Sequence, residues 1–517
     1  MRRKFKNVLT LTVLLLLTMP AIYAQESAGV FRVKGFHLDL RIQVMKMPAL
    51  KQFALDLSKH GINTLLVEWE AAYPFEQEPL IANRYAYTRQ EVVDFIRFCK
   101  SISIDVIPLQ QSFGHVEYIL RHYKYAALRE DNQDFSQVCP GEPALNKKLF
   151  TTLYTDLAAT HSSPFIHIGG DETYLLGHCE KCKKKVAEVG VSRLYFDHIK
   201  LLCDIVVSLG KRPVLWADIA LKYPEYIHLL PKQTVFIDWN YGWPLDRFGN
   251  HQQLVNSGYE IWGAPALRSD PDNYFITCWQ KHFNNIRDFI PACRNLGYKG
   301  ILMTSWSTSG AYSSLFDSEG DLIELYAIRH VYPVSGFDVL VAAYEEAINS
   351  PSPLDVDGFI KQYCSRQYGF SEKDALRFKA ALFTAPYKIN KGQVVAPVAM
   401  NINQLLDSAR SAAAVFQSLR PVKNQHLFAH YRLMADIRVY YLTFMTIEAR
   451  ANAADLTLKD TAACIAQLQQ LMKQEPQLSQ AFVQLNGSLL FPAALEEENV
   501  LRSQKVHQLY QRLAKIK

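Results

Sequence analysis

A chain of 517 residues is too long for one small module and has room for a large barrel with something smaller beside it. Its 49% hydrophobic and 21% charged residues supply apolar surface for a sizeable core, which excludes wholesale disorder. The formal net charge of +6 owes four positive charges to Arg2, Arg3, Lys4 and Lys6, and without them the balance is about +2, which excludes a nucleic-acid reader built on a concentrated basic surface. The first 24 residues run from that basic start through an apolar stretch, Val8 to Met19, to the small residue Ala24. This order predicts a signal peptide over 1–24, with the mature chain periplasmic or secreted. The apolar stretch is shorter than the roughly 20 residues of a membrane span and no comparable run follows, so no span is expected in the mature chain.

From Val33 onward, short apolar runs alternate with amphipathic stretches. The expected strands are 34–40, 63–70, 104–110, 164–170, 213–219, 234–240, 259–265 and 300–306. Thr88 with Glu91 forms a capping-box pattern opening the helix that follows the second strand. Eight strands with helical crossovers predict an α/β fold, a (β/α)8 TIM barrel over 25–345. Past about residue 320 the strand alternation stops and helical periodicity takes over, as in 426–452, which predicts an α-helical C-terminal domain over 346–517. The Pro-rich run NSPSPLD is the best boundary signal.

Most of the expected strands end in polar or aromatic side chains that a barrel core would not choose. Asp39 and Arg41 close the first, Glu68 and Glu70 the second, and His115 follows the third. Trp216 and Asp218, then Asp238, Trp239 and Tyr241, then Trp262 and finally Trp306 end the fifth to eighth. Barrel sites lie at the carboxyl ends of strands, so acids and tryptophans gathered there describe a pocket. Asp218 and Asp238 read equally well as structural carboxylates, and Trp243 and Trp279 are left as structural or without an assigned part. The nine cysteines are odd in number and scattered, which is not a disulfide framework. Cys179 and Cys182, in GHCEKC, read as structural thiols or a local disulfide. A zinc site needs four ligands, and no second CxxC or spaced His pair accompanies them, so no metal and no cofactor is expected. The lysines of KCKKK, 181–185, read as a solvated helix face.

The fourth strand ends in HIGGDE, where two glycines precede the adjacent carboxylates Asp171 and Glu172. Paired carboxylates suit sugar hydrolysis, one protonating the leaving oxygen while another group attacks the anomeric carbon. On an extended backbone neighbouring side chains diverge, so these two are not expected to act as acid and nucleophile on opposite faces of one bond. A 2-acetamido group on the substrate fits the nucleophile's part, with Asp171 orienting it and Glu172 as general acid and then base. That scheme asks Glu172 to stay protonated while Asp171 stays ionised.

HIGGDE after the fourth strand resembles the catalytic motif of glycoside hydrolase family 20, the β-N-acetylhexosaminidases. GINTLLVEWEAAYPFE, RYAYTRQEV and VIPLQQSFGHVEYILRH are similar to its hexosaminidase D branch. The resemblance covers about residues 33 to 310 and implies an exo-acting, retaining enzyme that removes terminal β-linked GlcNAc or GalNAc from a glycan or glycoconjugate. It implies Asp171 as the acetamido-orienting acid, Glu172 as the proton donor, His115 and Glu70 as a supporting relay, and Trp216, Trp239 and Trp306 as pocket walls. Tyr241, or its rival Tyr274, is expected on the acetamido oxygen, and Asp39 or Trp262 on the sugar hydroxyls. Lys34 and Gly35 stand where many members place an arginine for those hydroxyls. Two other readings compete: a non-hydrolytic carbohydrate-binding protein on the same fold, and an enzyme releasing a disaccharide.

Overall fold

The structure, a computed structural model, describes residues 31–516 except 271, 309–311, 317–322, 385–388, 391–392 and 395–399; the expected leader lies outside the described residues. Eight parallel strands follow one another around a closed barrel: β1 (Val33–Asp39), β2 (Thr64–Glu68), β3 (Asp105–Leu109), β4 (Phe165–His167), β5 (Arg212–Trp216), β6 (Val235–Trp239), β7 (Glu260–Ala264) and β8 (Gly300–Ser305). Closure comes from β1 pairing with β8, Val33 opposite Gly300 and Phe36 opposite Met303. All eight expected strands are present.

Side-chain alternation divides each strand between two cores. Leu66, Ile107, Leu109, Val214, Trp216, Val235, Ile237 and Leu302 fill the barrel interior. The intervening Phe36, Leu38, Leu65, Val67, Leu215, Phe236 and Met303 face the surrounding helices. The helix Arg89–Ser101 starts on the expected capping box: Glu91 N–H donates to Thr88 Oγ1 at 3.2 Å and Thr88 N–H to Glu91 Oε2 at 2.8 Å.

Several strand boundaries differ from expectation, the second strand ending at Glu68 and the fourth at His167. The fifth strand stops at Trp216, because Asp218 already opens a short helix, Asp218–Lys222. Strand structure continues past residue 320, where Tyr312–Phe316 and Ile323–Ala327 pair as an antiparallel hairpin. The helix Asp338–Asn349 packs on the barrel, its Tyr344 hydroxyl donating to Gly35 O at 2.8 Å, and the chain turns at 350–353, within the Pro-rich run.

Beyond that turn come helices, from Val356–Tyr368 to Pro492–Leu513. They lean on the segments that follow β7 and β1. Phe275 stacks on Tyr441 with ring centres 4.2 Å apart, Trp279 meets Tyr431 at 5.9 Å, and Gln43 reaches Glu498 at 3.4 Å. Trp279 is thus core. Among the described residues no helix is long and apolar enough to cross a membrane.

Candidate active site

The site begins where β4 ends. After His167 the backbone leaves the strand through left-handed residues, Gly169 at φ +74°, Gly170 at +96° and Glu172 at +45°. Gly169 is required twice over, because a Cβ there would stand 2.1 Å from Gln111 Oε1. Gly114, in the FGH segment after β3, lies so close that a Cβ would meet the Asp171 carbonyl at 2.7 Å. The two motifs therefore interlock. His115 Nε2 ends 3.5 Å from Asp171 Oδ2 and 3.3 Å from Glu172 Oε2. The expected divergence of the acids does not occur, since it presumed an extended backbone that these residues do not have.

Electrostatics follow from this triad. Burial works against a charged imidazole at His115, but Asp171 and Glu172 outweigh it and raise the pKa well above the ordinary 6.5. Burial likewise favours the neutral form of Glu172, yet hydrogen bonding and charge from His115, with help from Tyr174 and Arg41, lower it below 4.5. The expected protonated Glu172 is thus not the resting state, because the imidazole beside it takes the proton. The group held neutral is Asp218, pushed up to about 8 by burial and by the charges of Asp171 and Glu172. Its Oδ2 accepts from Glu172 N–H at 3.3 Å.

Around the acids stands an aromatic wall enclosing a cavity of about 300 Å³. Trp216 lies 5.8 Å from Trp306, and Trp306 Nε1 donates to the Tyr241 hydroxyl at 2.8 Å. Trp239 sits 5.1 Å from Tyr241 and 5.4 Å from Trp243. Trp243, to which the sequence assigned no part in the site, lines the cavity with them.

Four expected site residues go elsewhere. Trp262 is mid-strand, not at a strand end; it is buried in the amino-terminal half of the barrel against Phe165 at 5.3 Å, with Nε1 on Glu260 at 2.9 Å. Tyr274 is buried against Tyr332 and Phe482, outside this cavity. Asp39 spends both oxygens on protein: Oδ2 accepts from Ser307 N–H and Oγ at 2.8 and 2.7 Å, and Oδ1 from Arg41 N–H and Nε at 2.8 and 3.1 Å. Glu70, buried with φ +43°, faces Arg41 Nε at 3.8 Å. Asp238, on the helix-facing side of β6, is structural and holds Tyr298 and His251.

Asp39 and Glu70 thus serve Arg41, which sequence reading noted at a strand end but left out of the site. Its Nη2 also reaches Glu68 at 3.6 Å and its guanidinium lies 5.1 Å from the Trp306 ring centre. Removing it strands the buried carboxylates of Asp39 and Glu68, both held below their ordinary range with help from Arg41, around one hole. Arg41→Met is expected to cost about 3–5 kcal/mol of stability, read from urea or thermal unfolding. A loss below about 1 kcal/mol would show that the cluster is not held by this cation.

Several cavity-lining polar atoms are buried without a partner: Arg41 Nη1, Asp171 Oδ1, Trp216 Nε1, Thr308 Oγ1 and Arg329 Nε. Unpaired buried polar atoms are costly in a folded protein, so their convergence on one cavity marks where a polar ligand completes them. Among the described residues two clusters have metal-ligand atoms within 4.8 Å of one another: His115, Asp171 and Glu172, and separately Glu130, Cys139, Cys179 and Cys182.

Residues 37–311, just over half the chain, match the family described as glycosyl hydrolase family 20, catalytic domain. The chain belongs to glycosyl hydrolase family 20. Its matched span contains Asp171, Glu172, His115 and every tryptophan of the cavity wall, and ends before Arg329 and the C-terminal helices. The chain is 25% identical over 343 residues to Hexosaminidase D of Homo sapiens, covering 63% of this chain and 70% of that one. It is 25% identical over 296 residues to Hexosaminidase D of Bos taurus, covering 54% and 85%. The solved β-N-acetylhexosaminidase of Bacteroides fragilis NCTC 9343 shares the fold, with TM-score 0.50 at 17% identity over 65% of this chain and 69% of that one. As a family 20 member the protein is a glycoside hydrolase.

Proposed function

We propose that this family 20 enzyme is an exo-acting, retaining β-N-acetylhexosaminidase that removes terminal β-linked GlcNAc or GalNAc from glycans by substrate-assisted catalysis. The observation that carries the reading is the pair of carboxylates on one imidazole edge beneath a tryptophan-walled cavity. Both acids stand on the same side of that cavity, so neither is placed to attack a sugar face opposite the other. The nucleophile is then the substrate's own acetamido oxygen. It bonds to C1 while the C1–O bond to the leaving group breaks and Glu172 gives that oxygen a proton. Asp171, with Oδ1 unpaired in the resting site, takes the acetamido N–H and balances the growing oxazolinium charge. Water then adds at C1, losing its proton to Glu172, and the ring reopens with the original configuration.

The resting charges say where the proton starts. His115 holds it, and Glu172 is ionised 3.3 Å away. A bound sugar that displaces water from the half-covered Glu172 favours the neutral pair, which moves the proton onto Glu172. Trp216, Trp239, Tyr241 and Trp306 offer apolar faces to the acetamido methyl and the C–H side of the ring. Arg41, Thr308 and Arg329 supply polar atoms for hydroxyls, the part the sequence reading gave to Asp39 or Trp262. The basic, apolar, small leader supports export, so the substrate is a glycan or glycoconjugate outside the cytoplasm.

Chromogenic β-GlcNAc and β-GalNAc test this reading. Release from at least one of them is expected. Silence on both, with binding of either sugar retained, would favour the non-hydrolytic alternative, and release only from disaccharide conjugates would favour the disaccharide-releasing one.

A further inference from the structure

Forty residues separate Cys139 from Cys179, yet the loops after β3 and β4 bring their sulfurs to 3.4 Å. Cys139 lies 3.6 Å from Cys182, and Cys182 Sγ lies 3.2 Å from Glu130 Oε2. All nine cysteines are free, so no two of these are bonded. We propose that Cys139, Cys179, Cys182 and Glu130 bind one zinc ion, which clamps the loop carrying His115 to the loop carrying the catalytic pair.

The donor set suits the ion. Three thiolates and a carboxylate make a closed tetrahedral site with no position left for water, the structural type of zinc centre. A tetrahedron with metal–sulfur bonds of about 2.3 Å has edges of about 3.8 Å, close to the spacings here. Cys139, Cys182 and Glu130 are buried, and Leu176, Val186 and Leu194 shield the sulfurs.

The surroundings orient the ligands as an outer shell does. Glu130 Oε1 accepts from His178 N–H at 2.7 Å and Cys179 N–H at 2.8 Å, which fixes the carboxylate and leaves Oε2 facing the thiols. Cys182 N–H points at Cys179 Sγ, 3.4 Å away, which fixes the turn that carries the CxxC pair. Gly141 is accommodated against the sulfurs, where a Cβ would stand 3.2 Å from Cys182 Sγ and 3.3 Å from Cys139 Sγ. Cys182 lies in the first turn of the helix Glu180–Val189, which holds its sulfur against Cys139. With four anionic ligands the zinc site keeps a net charge of about −2. The exposed Lys181, Lys183, Lys184 and Lys185 on that helix offset it, which gives the KCKKK run a purpose beyond solvation.

The CxxC pair alone lacks four ligands; the fold supplies the third and fourth from Cys139 and Glu130. The clamp matters to the site because Cys179 follows Glu172 by seven residues, and Leu175 N–H between them donates to Gln137 of the other loop at 3.0 Å.

The full-length protein, purified without chelator and dialysed against metal-free buffer, is expected to carry about one zinc per chain by atomic emission. After unfolding with chelator, all nine cysteines should react with a thiol reagent. Seven reactive thiols without zinc would mean a disulfide within the cluster and overturn the proposal, as would nine thiols without zinc when added zinc fails to bind. Cobalt(II) replacing the zinc is expected to show thiolate charge-transfer and tetrahedral d–d bands. Cys139→Ser should weaken the charge-transfer band by about one third or abolish binding, whereas Cys464→Ser, remote from the cluster, should retain the full signal. A cobalt spectrum unchanged by Cys139→Ser would remove that ligand from the site and sink the assignment.

Discussion

Glu172→Gln is expected to lower kcat by about 10²–10⁴, the usual worth of a positioned general acid. The substitution keeps the shape and the hydrogen-bonding reach towards His115 but can neither give nor take the proton. The loss should depend on the leaving group. A nitrophenolate departs with little protonic help, so its first step is slowed least. An alkyl or sugar leaving group needs the proton and should show the largest deficit. A variant that cleaves an alkyl β-N-acetylhexosaminide at close to the parent rate, with unchanged circular dichroism, would remove Glu172 from the mechanism.

The same pair sets the pH dependence. In the free enzyme Glu172 and His115 share one proton through the neutral range, because the imidazole pKa is raised above 6.5 and the carboxyl is lowered below 4.5. Raising the pH through the raised His115 value removes that proton, so kcat/KM should fall on the alkaline side with an apparent pKa above 6.5 that belongs to the pair. A profile of kcat/KM already falling below pH 6 would contradict the resting charges.

The barrel was legible because each strand is a short apolar run with its own polar or aromatic stop, a local pattern. What failed to show needed closure of the chain. Arg41 is two residues past Asp39, but only the buried Glu68 and Glu70 of the next strand turn it into a cavity wall. Arg329 arrives from beyond a hairpin, with its Nη1 on Asp272 O at 2.8 Å and its Nη2 on Thr308 O at 2.7 Å, and nothing local announces that. Trp262 was misplaced for the opposite reason. A tryptophan in a strand can face the core as well as a pocket, and its depth is decided by register, Ile237 opposite Trp262 and Trp262 opposite Gly300. The glycines of HIGGDE were visible, while their positive φ values, which bring the two acids together, were not inferred from them.

Replacing the acetamido group by a hydroxyl should cost more than any single side chain. An intramolecular nucleophile held in place is worth effective molarities of about 10⁵–10⁸ M, so a plain β-glucoside with the same leaving group is expected to react at least about 10³ times more slowly. Asp171→Asn separates this from a mere binding preference. If Asp171 acts through the amide, the variant should lose rate on the N-acetyl substrate and little on the glucoside, so that the ratio between the two collapses. The cavity walls are unchanged by the substitution, so the KM for the N-acetyl substrate should move less than kcat. Equal proportional losses on both substrates would assign Asp171 to holding His115 instead. Efficient hydrolysis of the glucoside by the parent enzyme would require a protein nucleophile, and neither carboxylate on the shared imidazole edge is placed to be one.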